Sequence, residues 1–224
     1  MSNVLSNNYH NWSLPLDGGP RDIGFDYSAM APEGVHRAPF AFIRNNFLVP
    51  DESEIVYWNA GTYDMPHGQS IIMEGVLEGD GDQNWDSTAF NMIVVNETIA
   101  FLDGHMQDRA SDPFFSLVSL GAVHLPHSPP DKYIDGSPVA GQYPSKHMDL
   151  LGEVDKVVGS LVEALADRGQ LEDTIIIFTS DNGGLNFKKK NSTLYDSSGL
   201  LRGAKGTSIA QNAISCLCIN NCLG

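Results

Sequence analysis

The stretch TIIIFTSDNGG, residues 174–184, decides the fold that the sequence predicts. Its first half is an apolar run rich in β-branched residues, which is typical of a strand buried on both faces. Its second half, DNGG, places a carboxylate, an amide and two glycines where that strand ends. Glycine lets the backbone turn sharply and approach a ligand closely. The stretch therefore predicts a buried strand with a polar site at its carboxyl end, and a plain Asp-Asn-Gly turn is the alternative.

The surrounding chain predicts an α/β fold. Apolar residues at helical spacing predict helices over about 87–105 and 145–168, the second ending at Gly169. The apolar runs 114–120 and 171–180 predict two buried strands. Helix alternating with strand indicates a mostly parallel central sheet with helices on both faces. In such sheets ligands bind outside the carboxyl ends of the strands, where HLPH and DNGG both fall.

Two shorter segments carry weaker signals. The segment AFIRNNFLV (41–49) predicts a short strand and its turn. The acidic run EGDGDQNWD (78–86) has the alternating oxygens of a calcium loop. However, Trp85 and Asn91 occupy the positions where such a loop needs glycine and a bidentate glutamate. We expect this run to be a solvated loop that caps the next helix.

Composition excludes several classes of protein. The 224 residues allow one sizeable core, and a net charge of −15 argues against a nucleic-acid partner. No apolar run reaches the ~18 residues of a membrane span. The first twenty residues lack the basic and apolar regions of a signal peptide. These features leave the cellular compartment undetermined.

The C-terminal stretch differs from the rest of the chain. Residues 209–224 contain no charged side chain and fit neither an amphipathic helix nor an alternating strand. All three cysteines lie here, and their number and spacing match neither a zinc site nor a disulfide framework. We expect residues 1–208 to form the domain and 209–224 to lie outside it.

Four side chains are candidates for chemistry. Asp181 and Asn182 offer the hard oxygen ligands that Ca²⁺ and Mg²⁺ prefer. The imidazole of His124 could protonate a leaving group because its pKa lies near neutrality. Lys205, in LLRGAKGTS (200–208), could meet an anion as a point charge. His127 is more simply explained as a packed or solvated side chain.

Three segments, in this order along the chain, carry a family resemblance: PFFSLVSLGAVHLPHSPPDKY, TIIIFTSDNGG and LLRGAKGTS. Together they resemble the type I, formylglycine-dependent sulfatases of the alkaline phosphatase superfamily. The resemblance spans roughly residues 16–208 and implies an alkaline phosphatase-like sulfatase domain. It implies that Asp181 and Asn182 ligate Ca²⁺ (or Mg²⁺), that His124 reaches the sulfate ester, and that Lys205 contacts sulfate. The implied substrate is an aryl sulfate or a sulfated carbohydrate. Members of the family are commonly secreted, periplasmic or lysosomal.

The chain departs from the family pattern at both ends. The nucleophile segment, Cys-x-Pro-Ser-Arg or its serine variant, does not occur in the 224 residues, and Ser208 does not continue into Trp-Glu-Gly-Gly. The family's paired aspartates and its Gly-Lys-Trp-His segment are missing as well. We therefore expect an incomplete, internal fragment of a sulfatase domain, inactive as written, with half a metal site that binds its cation weakly at best.

Two other functions remain open from the sequence. A phosphatase or phosphodiesterase of the same superfamily would use several His and Asp metal ligands, and no Asp-x-x-x-His pair lies near DNGG. A non-catalytic pseudoenzyme or adaptor would keep the pocket without a nucleophile. Turnover of 4-nitrophenyl sulfate against 4-nitrophenyl phosphate by an intact homologue separates the first possibility from a sulfatase, and a folded, soluble product with cooperative unfolding favours the second.

Overall fold

The computed structural model describes residues 12–58, 78–184, 205 and 216–219. The chain divides into two compact units, Met1–Ala164 and Leu165–Gly224. Among these described residues, the first unit holds small antiparallel sheets and most of two long helices, and the second holds one strand pair. Neither helix is long and apolar enough to cross a membrane.

Helix α1 spans Phe90–Arg109 and confirms the first predicted helix. It follows a 3-10 helix, Ser87–Ala89, whose cap is the Asp86 carboxylate accepting a hydrogen bond from the Thr88 amide at 2.8 Å. The helix continues past Gly104, where its end was expected. Beyond that point the buried His105 donates from Nε2 to the Asp112 carbonyl at 2.9 Å, which ties the last turn to the following loop.

Helix α2 spans Lys146–Asp167 and confirms the second predicted helix. Gly169 follows it with φ of +65°, the left-handed conformation expected of a residue just past a helix end. Its amide donates to the Ala166 carbonyl, and the Gln170 amide donates to the Leu165 carbonyl, both at 2.9 Å. These bonds satisfy carbonyls that the helix end leaves without partners.

Short strands form two antiparallel sheets in the first unit. Strands β1 (Ala29–Met30), β2 (Ile43–Arg44) and β3 (Phe47–Leu48) make one sheet. The turn between β2 and β3 places Asn45 and Asn46 at positive φ, and this hairpin confirms the prediction for 41–49. Strands β4 (Ile55–Trp58) and β5 (Gly79–Asp82) make the other sheet. The acidic run 78–86, which was expected to be a solvated loop, is therefore partly strand. The expectation that it caps the next helix is confirmed at Asp86.

The ion pair of Arg44 with Glu97 joins β2 to α1. Arg44 donates from Nε to Glu97 at 3.0 Å and forms a second bond through its terminal nitrogen. The Tyr27 hydroxyl donates to the same carboxylate. The bond from Arg44 holds the pKa of Glu97 below its usual value, and burial raises the pKa of Tyr27 to about 12.

Two apolar clusters form the core of the first unit. One surrounds the Trp85 and Phe90 rings with Val35 and Phe40, at the start of α1. The other joins the two long helices and consists of Val95, Tyr133, Val139 and Val157. Val95 and Val157 have no exposed surface, so this contact between α1 and α2 is closed to solvent.

The strands expected around the polar segments differ from the prediction. Segment 114–120 contains no strand, and Phe115 and Leu117 are 74% and 69% exposed. The prediction of a buried strand there is wrong, because a strand requires a neighbouring backbone to bond and this segment has none among the described residues. Strand β6 (Ile176–Thr179) lies within the predicted 171–180, yet Ile177 is 63% exposed.

The only neighbour of β6 among the described residues is β7 (Cys216–Ile219), which runs antiparallel to it. β7 bonds to one edge of β6 and covers neither of its faces, so pairing alone leaves the apolar side chains on those faces exposed. All strand pairs in 12–58, 78–184 and 216–219 are antiparallel, so the mostly parallel central sheet stays a prediction. The domain boundary at 208 also stays a prediction, although four residues beyond it pair with β6.

Candidate functional site

His124 lies on an exposed turn between the end of segment 114–120 and Pro126. The turn closes through a hydrogen bond from the His124 amide to the Gly121 carbonyl at 2.9 Å. The imidazole donates from Nδ1 to the Leu125 carbonyl at 2.7 Å. Since a carbonyl can only accept, this bond places a proton on Nδ1 and leaves Nε2 as the nitrogen that gains or loses a proton. Nε2 is the ring nitrogen that this bond does not engage.

Further histidines surround this turn. The rings of His36 and His124 lie 4.5 Å apart between centroids, and those of His127 and His147 lie 5.0 Å apart. Burial lowers the pKa of His127, and the neighbouring charge of His147 lowers it further. The expectation that His127 is a packed side chain agrees with its partial burial. The sequence did not indicate that His36, almost ninety residues earlier, would meet His124.

The base of the His124 turn is bonded to helix α1. The Asn91 side-chain oxygen accepts hydrogen bonds from the amides of Gly121 and Ala122, at 3.0 and 3.3 Å. Gly121 also lies against the Phe90 ring, and a Cβ at this glycine would meet that ring at 2.9 Å. The turn therefore rests on the helix through both polar and steric contacts.

Glu153 extends this arrangement to helix α2. Its side chain has no exposed surface, and its Oε2 accepts a hydrogen bond from Asn91 Nδ2 at 3.0 Å. Its other oxygen, Oε1, is buried without a hydrogen-bond partner. Burial raises the pKa of Glu153 from 4.5 to about 7, because a desolvated carboxylate is less stable than the neutral acid.

Asn91 and Glu153 are residues that the sequence reasoning missed, although a signal was present. Glu153 lies three residues after Leu150 and four before Val157, so the helical period places it on the apolar face of α2. Asn91 likewise lies one turn before Val95 on α1. Polar groups on an apolar helix face must find a partner inside the protein, and these two find each other.

The polar segment of the second unit follows β6 directly. Asp181 is exposed and Asn182 is half-buried, so the carboxylate oxygens of Asp181 are accessible. The Ser180 hydroxyl donates to the Asn182 carbonyl at 2.7 Å and shapes the turn. The Lys205 amide donates to the Gly184 carbonyl at 3.0 Å, which places Lys205 beside this turn. Three of the predicted site residues thus lie in one small region, while His124 belongs to the first unit.

The family model described as Sulfatase matches residues 35–207, which include all four predicted site residues. The chain therefore belongs to the sulfatase family.

Individual relatives agree with this assignment. The chain is 25% identical over 186 residues to the N-acetylgalactosamine-6-O-sulfatase of Bacteroides thetaiotaomicron, a match that covers 73% of this chain and 35% of the relative. It is 37% identical over 105 residues to human arylsulfatase A, covering 47% of this chain and 18% of that protein. The chain thus spans about a third or less of the length of these relatives.

A solved structure supports the fold. It comes from a study of glycosaminoglycan metabolism by Bacteroides thetaiotaomicron, and it matches 90% of this chain and 46% of its own with a TM-score of 0.66 and 22% identity. This likeness shows that the chain has the α/β fold of that structure. Like the sequence relatives, the matched protein is considerably longer than this chain.

Membership of the sulfatase family implies a divalent cation. Asp181 and Asn182 contribute side-chain oxygens of the kind that Ca²⁺ prefers, but Ca²⁺ takes about six to eight oxygens. No group of three His, Cys, Asp or Glu side chains within 12–58, 78–184, 205 and 216–219 could hold a metal ion. The donors present in this part of the chain therefore do not complete a calcium site.

Proposed function

We propose that this chain is part of a sulfatase catalytic domain that hydrolyses sulfate esters, either aryl sulfates or sulfated carbohydrates. The observation that carries the proposal is the sulfatase family match over 35–207, which includes His124, Asp181, Asn182 and Lys205. The relatives support it, since both are named as sulfatases.

We assign His124 the role of proton donor to the leaving group. Cleavage of a sulfate ester leaves negative charge on the departing alcohol oxygen, and a proton delivered there stabilises that charge. The Nδ1 bond to the Leu125 carbonyl supports this role, because it directs the exchangeable proton to Nε2. The exposed ring is accessible to an ester from solvent.

We assign Lys205 to the sulfate group and Asp181 with Asn182 to part of the metal site of the longer family domain. An ammonium ion beside the sulfate oxygens offsets charge that develops as the sulfur–oxygen bond breaks. The bond between the Lys205 amide and Gly184 supports a shared role with the turn at 181–184. When a divalent cation is bound, it supplies further stabilisation of the same negative charge.

The 224 residues contain no Cys-x-Pro-Ser-Arg segment or serine variant, so we propose that this chain alone does not turn over sulfate esters. Sequencing the genomic DNA on either side of the reading frame tests the fragment hypothesis. The nucleophile segment upstream and Trp-Glu-Gly-Gly downstream are expected, and their absence would contradict it.

Activity is tested with 4-nitrophenyl sulfate and 4-nitrophenyl phosphate. We expect no turnover by the 224-residue chain, and sulfate-selective turnover by the longer protein that restores the missing segments. In that longer protein, acting on a sulfate ester of a weakly acidic alcohol, His124→Ala is expected to lower kcat by about 10²–10⁴-fold, the range of general acid catalysis. An alcohol of low pKa as leaving group should restore part of this loss, because it departs without a proton. Phosphate-selective turnover would contradict the proposal.

A further inference from the structure

The strongest unassigned feature is a polar connection through the core between the two long helices and the His124 turn. Asn91 is 5% exposed and Glu153 has no exposed surface, although neither residue is a candidate for contact with substrate. Burying such groups without bonds destabilises a fold, so their mutual arrangement requires an explanation.

The orientation of the Asn91 amide is determined by its partners. The amides of Gly121 and Ala122 can only donate, so the oxygen of Asn91 must face them. The Asn91 NH₂ group must then face the opposite way, where Glu153 Oε2 accepts from it at 3.0 Å. Glu153 thus selects the side-chain orientation in which Asn91 can bind the turn.

The connection continues without interruption to the proposed proton donor. The amide of Gly121 donates to Asn91, and the carbonyl of the same residue accepts from the amide of His124 at 2.9 Å. The sequence of bonds is therefore Glu153, Asn91, Gly121, His124. Each partner in it belongs to the first unit.

We propose that Asn91 and Glu153 are positioning residues that hold the Gly121 backbone and thereby set the place of the His124 imidazole. The functional consequence rests on the proposed role of His124 in sulfate ester hydrolysis, whereas the positioning itself does not. Asn91 acts on the turn directly, and Glu153 acts through Asn91 as an acceptor.

This arrangement predicts a specific order among variants. Asn91→Ala removes both bonds to the turn. Glu153→Ala keeps Asn91 but removes the acceptor of its NH₂ group, so the side-chain amide of Asn91 can flip. Glu153→Gln keeps an oxygen for Asn91 Nδ2 and places its own NH₂ where Oε1 has no partner. A charge-based role for Glu153 would be lost in the glutamine variant, whereas an acceptor role would survive.

Hydrogen exchange of backbone amides, resolved by NMR in the full 224-residue chain, measures the effect. We expect the Gly121 and Ala122 amides to exchange about tenfold faster or more in Asn91→Ala, since each loses a hydrogen bond of ordinary strength. Glu153→Ala should accelerate the same amides to a smaller extent. Glu153→Gln should leave them within about twofold of the parent chain.

Matched controls lie on the same helices. Asn96→Ala on α1 and Glu163→Ala on α2 change exposed residues of the same types, and both should leave the turn unchanged. The Val95 amide in the second turn of α1 reports on the helix itself. Faster exchange at Gly121 with unchanged exchange at Val95 distinguishes positioning of the turn from general loss of stability.

The His124 imidazole gives the second readout. Its side-chain NMR signals are expected to shift in Asn91→Ala and Glu153→Ala and to stay near the parent values in Glu153→Gln. If Asn91→Ala does not fold, the two Glu153 variants decide the question, because they remove a buried carboxylate with an unbonded oxygen.

Two results would overturn the proposal. One is equal acceleration of the Gly121 amide in Glu153→Gln and Glu153→Ala, and the other is an unchanged Gly121 amide in every folded variant. Neither measurement needs turnover, so an inactive longer protein would contradict the proposed sulfatase function without affecting this inference.

Discussion

We expect the buried carboxyl group of Glu153 to give the free energy of unfolding an unusual dependence on pH. Its pKa is raised from 4.5 to about 7 in the folded chain, and burial is the main cause. Each pKa unit corresponds to about 1.36 kcal/mol, so ionising this buried carboxyl in the folded state carries a penalty of roughly 3 kcal/mol. Glu153→Gln removes the titrating group while keeping an acceptor for Asn91.

The sign of the effect follows from proton binding. Well below pH 4.5 Glu153 is protonated in both the folded and the unfolded chain. Its folded form then carries no penalty for a buried charge, so the free energy of unfolding is at its highest with respect to this group. As the pH rises towards about 7, the unfolded chain has released this proton while the folded chain still holds it. The free energy of unfolding therefore falls over this range and levels off above it.

Urea unfolding of the parent chain and Glu153→Gln at pH values from 4.5 to 8 measures this difference. We expect the parent to lose roughly 3 kcal/mol relative to the variant across the range, because all other titrating groups are common to both proteins. Glu163→Gln, on the exposed side of the same helix, should run parallel to the parent. Parallel curves for the parent and Glu153→Gln would refute the reasoning, since they would mean that the carboxyl is solvated in the folded state.

Three further predictions concern the core, the metal and the histidines. Val157→Ala should lower the free energy of unfolding by about 2–3 kcal/mol, because two buried carbons and their packing are lost, whereas Val49→Ala, at a site 46% exposed, should change it by less than about 0.5 kcal/mol. Calcium titrated into the chain by calorimetry should show no sub-micromolar affinity, because Asp181 and its neighbour supply too few of the roughly six to eight oxygens required. His147→Gln should raise the pKa of His127 in an NMR titration, because it removes a nearby positive charge, while burial keeps that pKa below its usual 6.5.

Each of these has a clear contrary outcome. Equal effects of the two valine substitutions would mean that the α1–α2 contact is not closed. Sub-micromolar calcium binding would mean that this chain contains a complete metal site. A pKa of His127 that stays constant or falls in His147→Gln would mean that the charge of His147 does not lower it.

The helices were predictable because their determinants are local. The apolar period of α2 and the glycine at 169 act within a few residues, and the observed helix, Lys146–Asp167, follows from them. The hairpin at 41–49 was predictable for a similar reason, since Asn45 and Asn46 tolerate the positive φ of its turn. The strands were less predictable, because an apolar run at 114–120 becomes a strand only if another backbone lies beside it.

The sequence by itself determined the two long helices, the order of the family motifs and the chemical types of the candidate residues, including a histidine at 124 and an acid–amide pair at 181–182. Only the tertiary structure decided that Asn91 and Glu153, sixty-two residues apart, meet beneath the His124 turn. The physical reason is the range of the forces involved. Helix propensity and capping act over a few residues, whereas the partner of a buried polar group is chosen by the packing of the whole unit.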